Sequence, residues 1–334
     1  MTVRDLADGV LAGQRRQIGQ AITLVESVRL ADRAEARTLL ELLRDRAGDR
    51  PAAIRVGISG VPGAGKSTLI DALGVKLVEQ GHRVAVLAVD PSSSKTGGSI
   101  LGDRTRMAGL ASQDGAYIRP SPSGSHLGGV ARATREAMLI TEAAGYDIVL
   151  IETVGVGQSE VAVASMVDTF LLITLARAGD QLQGIKRGIL EMADVIAINK
   201  ADGDNQAAAQ VAARELRGAL RLISGDPKAR RAPVLTCSAW TGTGLMDVWQ
   251  AVLDHREHLS QSGGLAQRRS AQHCEWLWAL VDDELVEAVR QVPAVKALRS
   301  DLEARVMAGE VSAVEAAETI LTTFADHLPH SWLG

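Results

Sequence analysis

A glycine-rich loop between an apolar stretch and a helix-forming stretch, within residues 54–71, constrains the fold more than any other feature of the sequence. The apolar residues 54–58 predict a buried strand, and residues 68–77 predict the helix that follows the loop. The loop matches the pattern G-x-x-x-x-G-K-[ST], and we expect these residues to surround bound phosphate: Gly60, Val61, Pro62, Gly63, Ala64, Gly65, Lys66, Ser67 and Thr68.

This loop has the chemistry of a phosphate site. Glycines allow successive backbone N–H groups to converge on phosphate oxygens, and the helix N-terminus adds unpaired donors and the positive end of its dipole. We expect Lys66 to contact the β- and γ-phosphates of a nucleotide, and the Ser67 hydroxyl to bind Mg²⁺. The alternative is a glycine-rich turn without a ligand, and the strand–loop–helix context argues against it.

The composition is that of a globular protein without a strong charge bias. The chain has 334 residues, of which 46% are hydrophobic, and a formal net charge of −4, which gives no electrostatic reason to bind nucleic acid or an anionic membrane. The N-terminus lacks the apolar core of a signal peptide, and Asp168 interrupts the apolar residues 161–175. Cys237 and Cys274 form no C-x-x-C pair, which fits a reducing compartment. From the charge and the apolar pattern we expect a soluble, cytoplasmic protein with no nucleic-acid or membrane partner.

Short apolar runs alternate with helical stretches from residue 54 onward. Most of these runs are continuous rather than alternating, as expected for a parallel sheet that is covered on both faces. Strand–helix alternation of this kind predicts an α/β fold with a mostly parallel sheet and right-handed crossovers. The predicted strands are residues 54–58, 84–89, 148–151, 170–175, 195–199 and 234–237.

Helical segments flank this α/β region on both sides. Residues 1–50 carry apolar side chains at helical spacing, and a helix at 245–259 precedes a Ser/Gly-rich linker at 260–264. We therefore predict an N-terminal helical segment at 1–50, an α/β domain at 51–259 and a C-terminal helical segment at 265–334.

The C-terminal segment is too small to form a core of its own. Pro293 and Gly309 interrupt its helical pattern, and Ser312 with Glu315 has the spacing of a capping box. Two or three helices of this length bury little apolar surface by themselves. We expect them to pack on the α/β domain or to form a dimerisation arm between two copies of the chain.

A carboxylate ends the predicted strand at 148–151. Glu152 can hold Mg²⁺ or its waters, and Gly155, three residues later, can offer its backbone N–H to a γ-phosphate. Most GTPases have Asp at the first position of this motif. By itself this pattern is weak evidence for a nucleotide-sensing motif. The evidence is stronger here because the pattern follows an apolar strand downstream of the phosphate loop.

The residues Asn199-Lys200-Ala-Asp202 end another apolar strand and predict guanine recognition. A carboxylate at Asp202 can accept two hydrogen bonds from guanine, whereas adenine offers no such pair of donors. Asn199 and Lys200 would support the base and connect this loop to the phosphate loop. The alternative role of Asp202 is a helix N-cap. We expect the loop formed by Ser238, Ala239 and Trp240 to meet the guanine oxygen through its backbone.

The polar, glycine-rich residues 90–107 suit a switch that orders around nucleotide and metal. Asp90 ends the second predicted strand, and Asp103 is a second candidate carboxylate for the metal or its waters. The alternative is an ordinary surface loop with an Asp cap. Outside these motifs, His126 lies among Ser and Gly, and we predict that Arg268 and Arg269 are solvated charges.

Together these motifs resemble the MeaB/ArgK G proteins, and the resemblance extends over nearly the whole chain. Such proteins are chaperones of adenosylcobalamin-dependent acyl-CoA mutases, chiefly methylmalonyl-CoA mutase. The matching stretches are the phosphate loop at 60–68, Asp-Pro-Ser-Ser at 90–93, Gly-Asp-Arg-Thr-Arg-Met at 102–107, Glu-Thr-Val-Gly-Val-Gly-Gln-Ser-Glu at 152–160, Asn-Lys-Ala-Asp at 199–202 and Ala-Ile-Thr-Leu-Val-Glu-Ser at 21–27.

The resemblance implies a P-loop GTPase of the SIMIBI type that binds GTP or GDP with Mg²⁺ and hydrolyses GTP slowly. It further implies a homodimer that gates adenosylcobalamin loading and protects the mutase without catalysing mutase chemistry. By the same resemblance, the catalytic residues are Lys66, Asp90, Asp103 and Glu152. The implied metal ligands are Ser67, Asp90, Asp103 and Glu152.

Two other functions remain open. A metallochaperone GTPase that inserts nickel would need a cluster of His and Cys near its termini or switch, which the sequence lacks. A kinase linked to amino-acid transport, a label also given to this family, could use a similar phosphate loop. Such a kinase has no need of residues 199–202.

Overall fold

The computed structural model describes residues 1–27, 29–46, 48, 51–89, 106–120, 127–153, 159–176, 187–223 and 231–327. The chain divides into two compact units, Met1–Gln272 and His273–Gly334. The boundary falls inside a long helix that begins at Gly264. The three-part domain division drawn from the sequence stays a prediction.

The described part of the first unit contains a seven-stranded sheet in which every pair of neighbours is parallel, in the order β3-β2-β4-β1-β5-β6-β7. Its central strand β1 lies between β4 and β5, with Ile58 opposite Glu152. The strands are β1 Ile54–Gly60, β2 Val84–Val89, β3 Ala116–Arg119, β4 Ile148–Thr153, β5 Thr169–Leu175, β6 Val195–Asn199 and β7 Val234–Thr236.

The predicted α/β fold with a parallel sheet is therefore confirmed. Strand β3 was not predicted, because its four residues include a tyrosine and an arginine and form no apolar run. This strand lies at the edge of the sheet and pairs only with β2 among the described strands, so it needs less apolar surface than a central strand.

Helices precede, separate and follow the strands along the described parts of the chain. They are α1 Val3–Leu11, α2 Arg15–Glu26, α3 Leu30–Arg46, α4 Lys66–Glu79, α5 Ala108–Ala111, α6 Leu127–Ala143, α7 Ser159–Ala164, α8 Arg187–Met192, α9 Gln206–Ile223, α10 Leu245–Gln261, α11 Gly264–Gln291, α12 Pro293–Met307 and α13 Ala313–Asp326.

The N-terminal helices α1, α2 and α3 pack on one another, and all three contact α6. Their apolar residues recur at helical spacing, and Ile18, Ile22 and Leu39 are fully buried. These side chains join the same hydrophobic core as the sheet. The N-terminal helices are therefore part of the first compact unit.

The prediction that Arg268 and Arg269 are solvated charges is wrong. Arg269 forms a bidentate ion pair with the fully buried Asp168, at 2.8 Å from Nε to Oδ1 and 2.6 Å from Nη2 to Oδ2. Arg268 pairs with Asp194 at 3.2 Å and also donates to the backbone oxygen of Asp168. The buried His255 contacts Asp194 as well. The first turns of α11 are thus bonded to the amino ends of β5 and β6.

The second unit consists of the rest of α11 with α12 and α13. As predicted, Pro293 begins a new helix, and Ser312 with Glu315 forms a capping box at the start of α13. Several large apolar side chains on α11 are exposed, and a shallow groove on this helix is lined by Leu277, Leu280, Val281, Glu284 and Leu285. In the part of the chain that the structure describes, no helix is long and apolar enough to cross a membrane.

Candidate functional site

The carboxyl ends of the strands bring the predicted motifs to one edge of the sheet. The phosphate loop follows β1, Glu152 is the penultimate residue of β4, and Asn199 ends β6. Ser238 follows β7 on the same edge. Because parallel strands share a direction, these four positions lie along the same edge, and ligands of open α/β sheets bind at this edge.

The phosphate loop is held in a shape that requires glycine at two positions. A Cβ atom on Gly60 would lie 2.0 Å from the backbone oxygen of Ile173 on β5. Gly65 has a φ of 85°, and a Cβ atom there would lie 2.7 Å from Nδ2 of Asn199. The loop is therefore packed closely against β5 and against the strand end that carries the guanine motif.

Lys66 is the first residue of α4, and its side chain is 8% exposed. Its ammonium group donates a hydrogen bond to the backbone oxygen of Gly60 at 2.9 Å, so it folds back over the loop. Burial lowers the pKa of Lys66, and the carboxylates of Glu152 and Glu160 oppose that shift. The ammonium therefore lies among negative charges at the phosphate loop.

Ser67 and Glu152 meet directly. The hydroxyl of Ser67 donates to Oε1 of Glu152 at 2.8 Å, and Glu152 is 4% exposed. Hydroxyl and carboxylate oxygens are hard donors of the kind that Mg²⁺ prefers, so this pair fits the metal by its chemistry. Within the ranges that the structure describes, no group of three or more His, Cys, Asp or Glu side chains could hold a metal ion.

Asn199 connects two loops of the site. Its Nδ2 donates to the backbone oxygen of Ala64 in the phosphate loop at 2.8 Å. Its Oδ1 accepts from the backbone N–H of Ala239 at 3.0 Å. The side chain is 1% exposed. Both ends of one buried amide are therefore used, and a change at Asn199 would affect the phosphate loop and the loop after β7 together.

Asp202 lies at the N-cap position of the short 3-10 helix Gly203–Asn205, but its side chain makes no capping hydrogen bond. One carboxylate oxygen instead accepts a short hydrogen bond from the hydroxyl of Ser238. Lys200, two residues earlier, has a φ of 59°, which is rare for a residue other than glycine. The geometry thus disfavours the helix-cap alternative and places Asp202 beside the loop that follows β7.

That loop is a tight turn. Ser238 is fully buried, and its backbone oxygen accepts from Gly242 N–H at 2.9 Å. Ala239 is nearly buried, whereas Trp240 is 87% exposed. Burial raises the pKa of the adjacent Cys237 thiol to about 12, so this cysteine is neutral at physiological pH. Of Ser238, Ala239 and Trp240, the tryptophan is therefore the residue that is open to an incoming molecule.

Several predicted site residues lie outside the described residues: Asp90, Asp103, Gly155 and His126. The described flank of the 90–107 stretch is bonded to the phosphate-loop helix. The backbone N–H of Leu110 donates to Oδ1 of Asp71 at 2.7 Å, and Met107 is fully buried.

One buried charge at the site was missed by the sequence analysis. Glu160, on α7, is fully buried, and its carboxylate acts on the pKa of Lys66. Nothing in the local sequence separates this glutamate from a surface residue in the first turn of a short helix. Glu160 is the last residue of the stretch 152–160 that contributes to the family resemblance, but the resemblance assigned it no role.

Comparison with known families gives a match over most of the chain. The family model described as "Methylmalonyl Co-A mutase-associated GTPase MeaB" matches residues 18–294. The chain is 57% identical over 320 residues to a probable GTPase of Mycobacterium tuberculosis, which covers 96% of this chain and 94% of that protein.

Two further proteins extend the comparison. The chain is 45% identical to the mitochondrial methylmalonic aciduria type A homolog of Mus musculus, over 96% of this chain and 79% of that protein. Among solved structures, a LAO/AO transport system kinase is 35% identical and covers 97% of each chain, with a TM-score of 0.72.

Proposed function

The chain belongs to the MeaB family of methylmalonyl-CoA mutase-associated GTPases and is itself a GTPase, and on that premise we propose that its nucleotide state controls adenosylcobalamin loading into an acyl-CoA mutase. In this role the protein gates delivery of the cofactor and protects the mutase. Methylmalonyl-CoA mutase is the proposed partner because the family carries its name and a relative is a methylmalonic aciduria type A homolog.

The observation that carries this proposal is the hydrogen bond from Ser67 to Glu152. It joins the phosphate loop to the end of β4, directly before the stretch that leads into α7. A ligand that takes Ser67 away from Glu152 changes the contacts at the start of that stretch. Such a change is what a nucleotide-dependent switch requires.

Hydrogen bonds connect the end of α7 with Gln272 on α11. Arg135 on α6 donates to the backbone oxygen and to the hydroxyl of Ser165, one residue after α7, at 2.9 and 2.8 Å. The same guanidinium donates to the backbone oxygen of Gln272 on α11 at 3.3 Å. Gln272 in turn donates to the oxygen of Val167 at 2.8 Å. A shift of α7 would therefore change the hydrogen bonds that Gln272 of α11 makes.

We assign the nucleotide contacts by chemistry. Lys66 would bind the β- and γ-phosphates, and Asp202 would accept from the guanine N1–H and amine. Ser67 and Glu152 would hold Mg²⁺ together with phosphate oxygens, and Asp90 and Asp103 are the further proposed carboxylates. When bound, Mg²⁺ supplies positive charge that offsets the charge of the phosphates.

A homodimer is part of the proposal, and the exposed apolar surface of α11 supports it. Leu277 and Leu285 line the groove on this helix and are 57% and 39% exposed. Trp278 beside them is 66% exposed. A second copy of the chain could bury this surface, because in a two-fold symmetric dimer the same apolar patch of each copy packs against the other.

Cofactor transfer to purified methylmalonyl-CoA mutase tests the proposed function. Loading of adenosylcobalamin should differ between GTP, GDP and a non-hydrolysable GTP analogue, because only a difference in affinity between states can shift an equilibrium. Glu152→Gln should reduce this difference. Glu79→Gln, an exposed carboxylate at the end of α4, should leave it unchanged. Equal loading in all nucleotide states, with complex formation verified, would refute the role.

A kinase linked to amino-acid transport is the second candidate, favoured only by the name of the solved neighbour. The two functions differ in where the γ-phosphate goes. Hydrolysis releases it as inorganic phosphate, whereas a kinase leaves it on an acceptor. Radiolabelled GTP that transferred phosphate to a protein or amino acid would support the kinase.

A further inference from the structure

We propose that Thr153 is a positioning residue for the magnesium site: through its hydrogen bond to Ser59 it holds the end of β4, so that Glu152 stays in place when Ser67 turns to the nucleotide. This inference rests on the proposed role of Ser67 and Glu152 as the residues that hold Mg²⁺. It gives a task to a hydroxyl group to which the sequence motifs assign none.

The hydrogen bond lies at the base of the phosphate loop. The hydroxyl of Thr153 donates to Oγ of Ser59 at 2.9 Å, and both residues are fully buried. Ser59 directly precedes Gly60, the first residue of the loop. The parallel pairing of β1 with β4 ends at Ile58 and Glu152, so this side-chain bond extends the connection by one residue. A buried hydroxyl that loses its partner is costly, so we expect the bond to persist.

The end of β4 is bonded on both faces of the sheet. Successive side chains of a strand point to opposite faces, so Glu152 and Thr153 do too. Glu152 faces α4, from which it accepts a hydroxyl hydrogen bond at 2.8 Å. Val163 of α7 packs over Gly57 on the other face, where a Cβ atom would lie 2.7 Å from Cγ1 of Val163. Ser59 is two residues further along β1 and shares that face with Thr153. One bond can therefore break while the other remains.

The two bonds differ in what a bound nucleotide does to them. In the proposed site, Ser67 gives up its bond to Glu152 when its oxygen turns to the metal and the phosphates. The bond between Thr153 and Ser59 involves no proposed ligand and is retained. It keeps the end of β4 against the phosphate loop, one residue away from Glu152. A carboxylate whose position is fixed beforehand holds a metal more tightly, because less freedom is lost on binding.

A purely structural role is the competing explanation. If the bond only stabilises the sheet, its loss should weaken nucleotide binding equally with and without Mg²⁺. The proposed role predicts a loss confined to the Mg²⁺-dependent part of the affinity, because Glu152 acts on the nucleotide through the metal. The ratio of the affinity in Mg²⁺ to the affinity in EDTA therefore separates the two roles.

Titration calorimetry on the full chain measures this ratio with a non-hydrolysable GTP analogue. Thr153→Val exchanges the hydroxyl for a methyl group and should lower the ratio about three- to tenfold, the range expected for one neutral hydrogen bond. Thr153→Ser keeps the hydroxyl and should restore most of the ratio. Thr141→Val makes the same exchange in a fully buried residue of α6, whose hydroxyl donates to the backbone oxygen of Met138, and should leave the ratio unchanged.

A double-mutant cycle shows whether the two hydroxyls act together. If they do, Ser59→Ala lowers the ratio as Thr153→Val does, and the double variant lowers it no further. Independent losses that add in the double variant would overturn the inference, as would an unchanged ratio in folded Thr153→Val. If Thr153→Val fails to fold, the ratio in Ser59→Ala decides by the same criterion.

Glu152→Gln separates this failure from a failure of the metal site. If Glu152→Gln keeps the ratio of the unmodified chain, the assignment of Glu152 to the metal is wrong. If it lowers the ratio while Thr153→Val does not, only the role of Thr153 fails.

Discussion

The side-chain amide of Asn199 donates to the backbone oxygen of Ala64 at 2.8 Å, so the strand that carries the guanine motif is bonded directly to the phosphate loop. The other end of the same amide accepts from Ala239. Base recognition and phosphate binding therefore share one buried side chain. This arrangement gives the predictions on nucleotide binding a structural basis.

Guanine specificity should depend on Asp202. Titration calorimetry with GDP, ADP and XDP should find GDP bound most tightly by the unmodified chain. Asp202→Asn should move the preference toward XDP, because an amide can donate to the extra carbonyl of xanthine where the carboxylate cannot. Ser238→Ala removes the hydroxyl that bonds to Asp202 and serves as a control that keeps the carboxylate. Equal affinity of the unmodified chain for ADP and GDP would contradict this assignment.

Hydrolysis should require Mg²⁺ and Lys66, and it should be slow in the isolated chain. Lys66→Ala removes the ammonium at the phosphate loop and should abolish nucleotide binding or hydrolysis. Release of inorganic phosphate measures the rate with and without EDTA. Lys76→Ala, on the last turn of the same helix, is the matched control. Hydrolysis that continued at the same rate in EDTA would argue against the proposed metal site.

The ion pair between Arg269 and Asp168 should be essential for stability. Arg269→Met leaves a fully buried carboxylate without its bidentate partner and should lower the free energy of unfolding by about 3–5 kcal/mol. Arg299 pairs with Glu303 on an exposed helix surface, and Arg299→Met should have little effect. Urea unfolding measures both variants. Equal free energies of unfolding for the two variants would show that the buried ion pair contributes no more to stability than the exposed one.

Glu136 should make stability depend on pH. Burial raises the pKa of Glu136 to about 7, although Arg132 and Arg33 oppose the shift. Between the unfolded pKa and pH 7, the unfolded chain releases a proton that the folded chain retains, so stability falls as pH rises through this window. Glu136→Gln removes that loss and should gain stability relative to the unmodified chain, by at most about 3 kcal/mol at pH 8 and by much less at pH 5.

The measurement for Glu136 is urea unfolding of both proteins at the two pH values. Glu79→Gln is the matched control, since its carboxylate is exposed on α4. We expect that control to change the unfolding free energy by less than about 0.5 kcal/mol. A stability difference for Glu136→Gln that is the same at pH 5 and pH 8 would contradict the raised pKa.

Self-association should depend on the groove of α11. Leu277→Glu with Leu285→Glu places charges in that groove, and light scattering on the full chain should then give the mass of a monomer. Met307→Glu changes an exposed apolar residue on α12 outside the groove and should leave a dimer intact. Substitution is preferable to truncation after Leu259, because truncation would also remove Arg269. A monomeric unmodified chain at micromolar concentration would refute the dimer.

Much of the fold could be predicted from the sequence, because continuous apolar runs report directly on buried parallel strands. The pattern located β1, β2, β4, β5 and β6 closely, and β7 to within one residue at its end. It failed for β3, whose Tyr117 is buried but whose Arg119 extends to Glu26 and Thr23 on α2. An edge strand stabilised by such distant polar contacts carries no periodic apolar signal.

The residues of the site and its surroundings also fall into two groups, those that the sequence predicts and those that it does not. Residues within one motif, such as Lys66 or Asn199, could be selected because their spacing follows from phosphate and base chemistry. Glu160 and the pair formed by Asp168 and Arg269 could not be selected. Arg269 is 101 residues from its partner, and a helical arginine resembles a solvated one until the opposing carboxylate is located. Long-range pairing of charges leaves no local pattern.

The sheet order also affects how the chain folds as it is synthesised. Strand β1 leaves the ribosome early, but its neighbours β4 and β5 begin only at Ile148 and Thr169. Roughly 90 further residues, or several seconds of translation, are therefore needed before a neighbouring strand can pair with β1 and support the phosphate loop. Asp168 is synthesised 101 residues before Arg269, its ion-pair partner. A nascent chain that stopped before α11 would lack the guanidinium that pairs with Asp168, and we expect its α/β part to be less stable than that of the full chain.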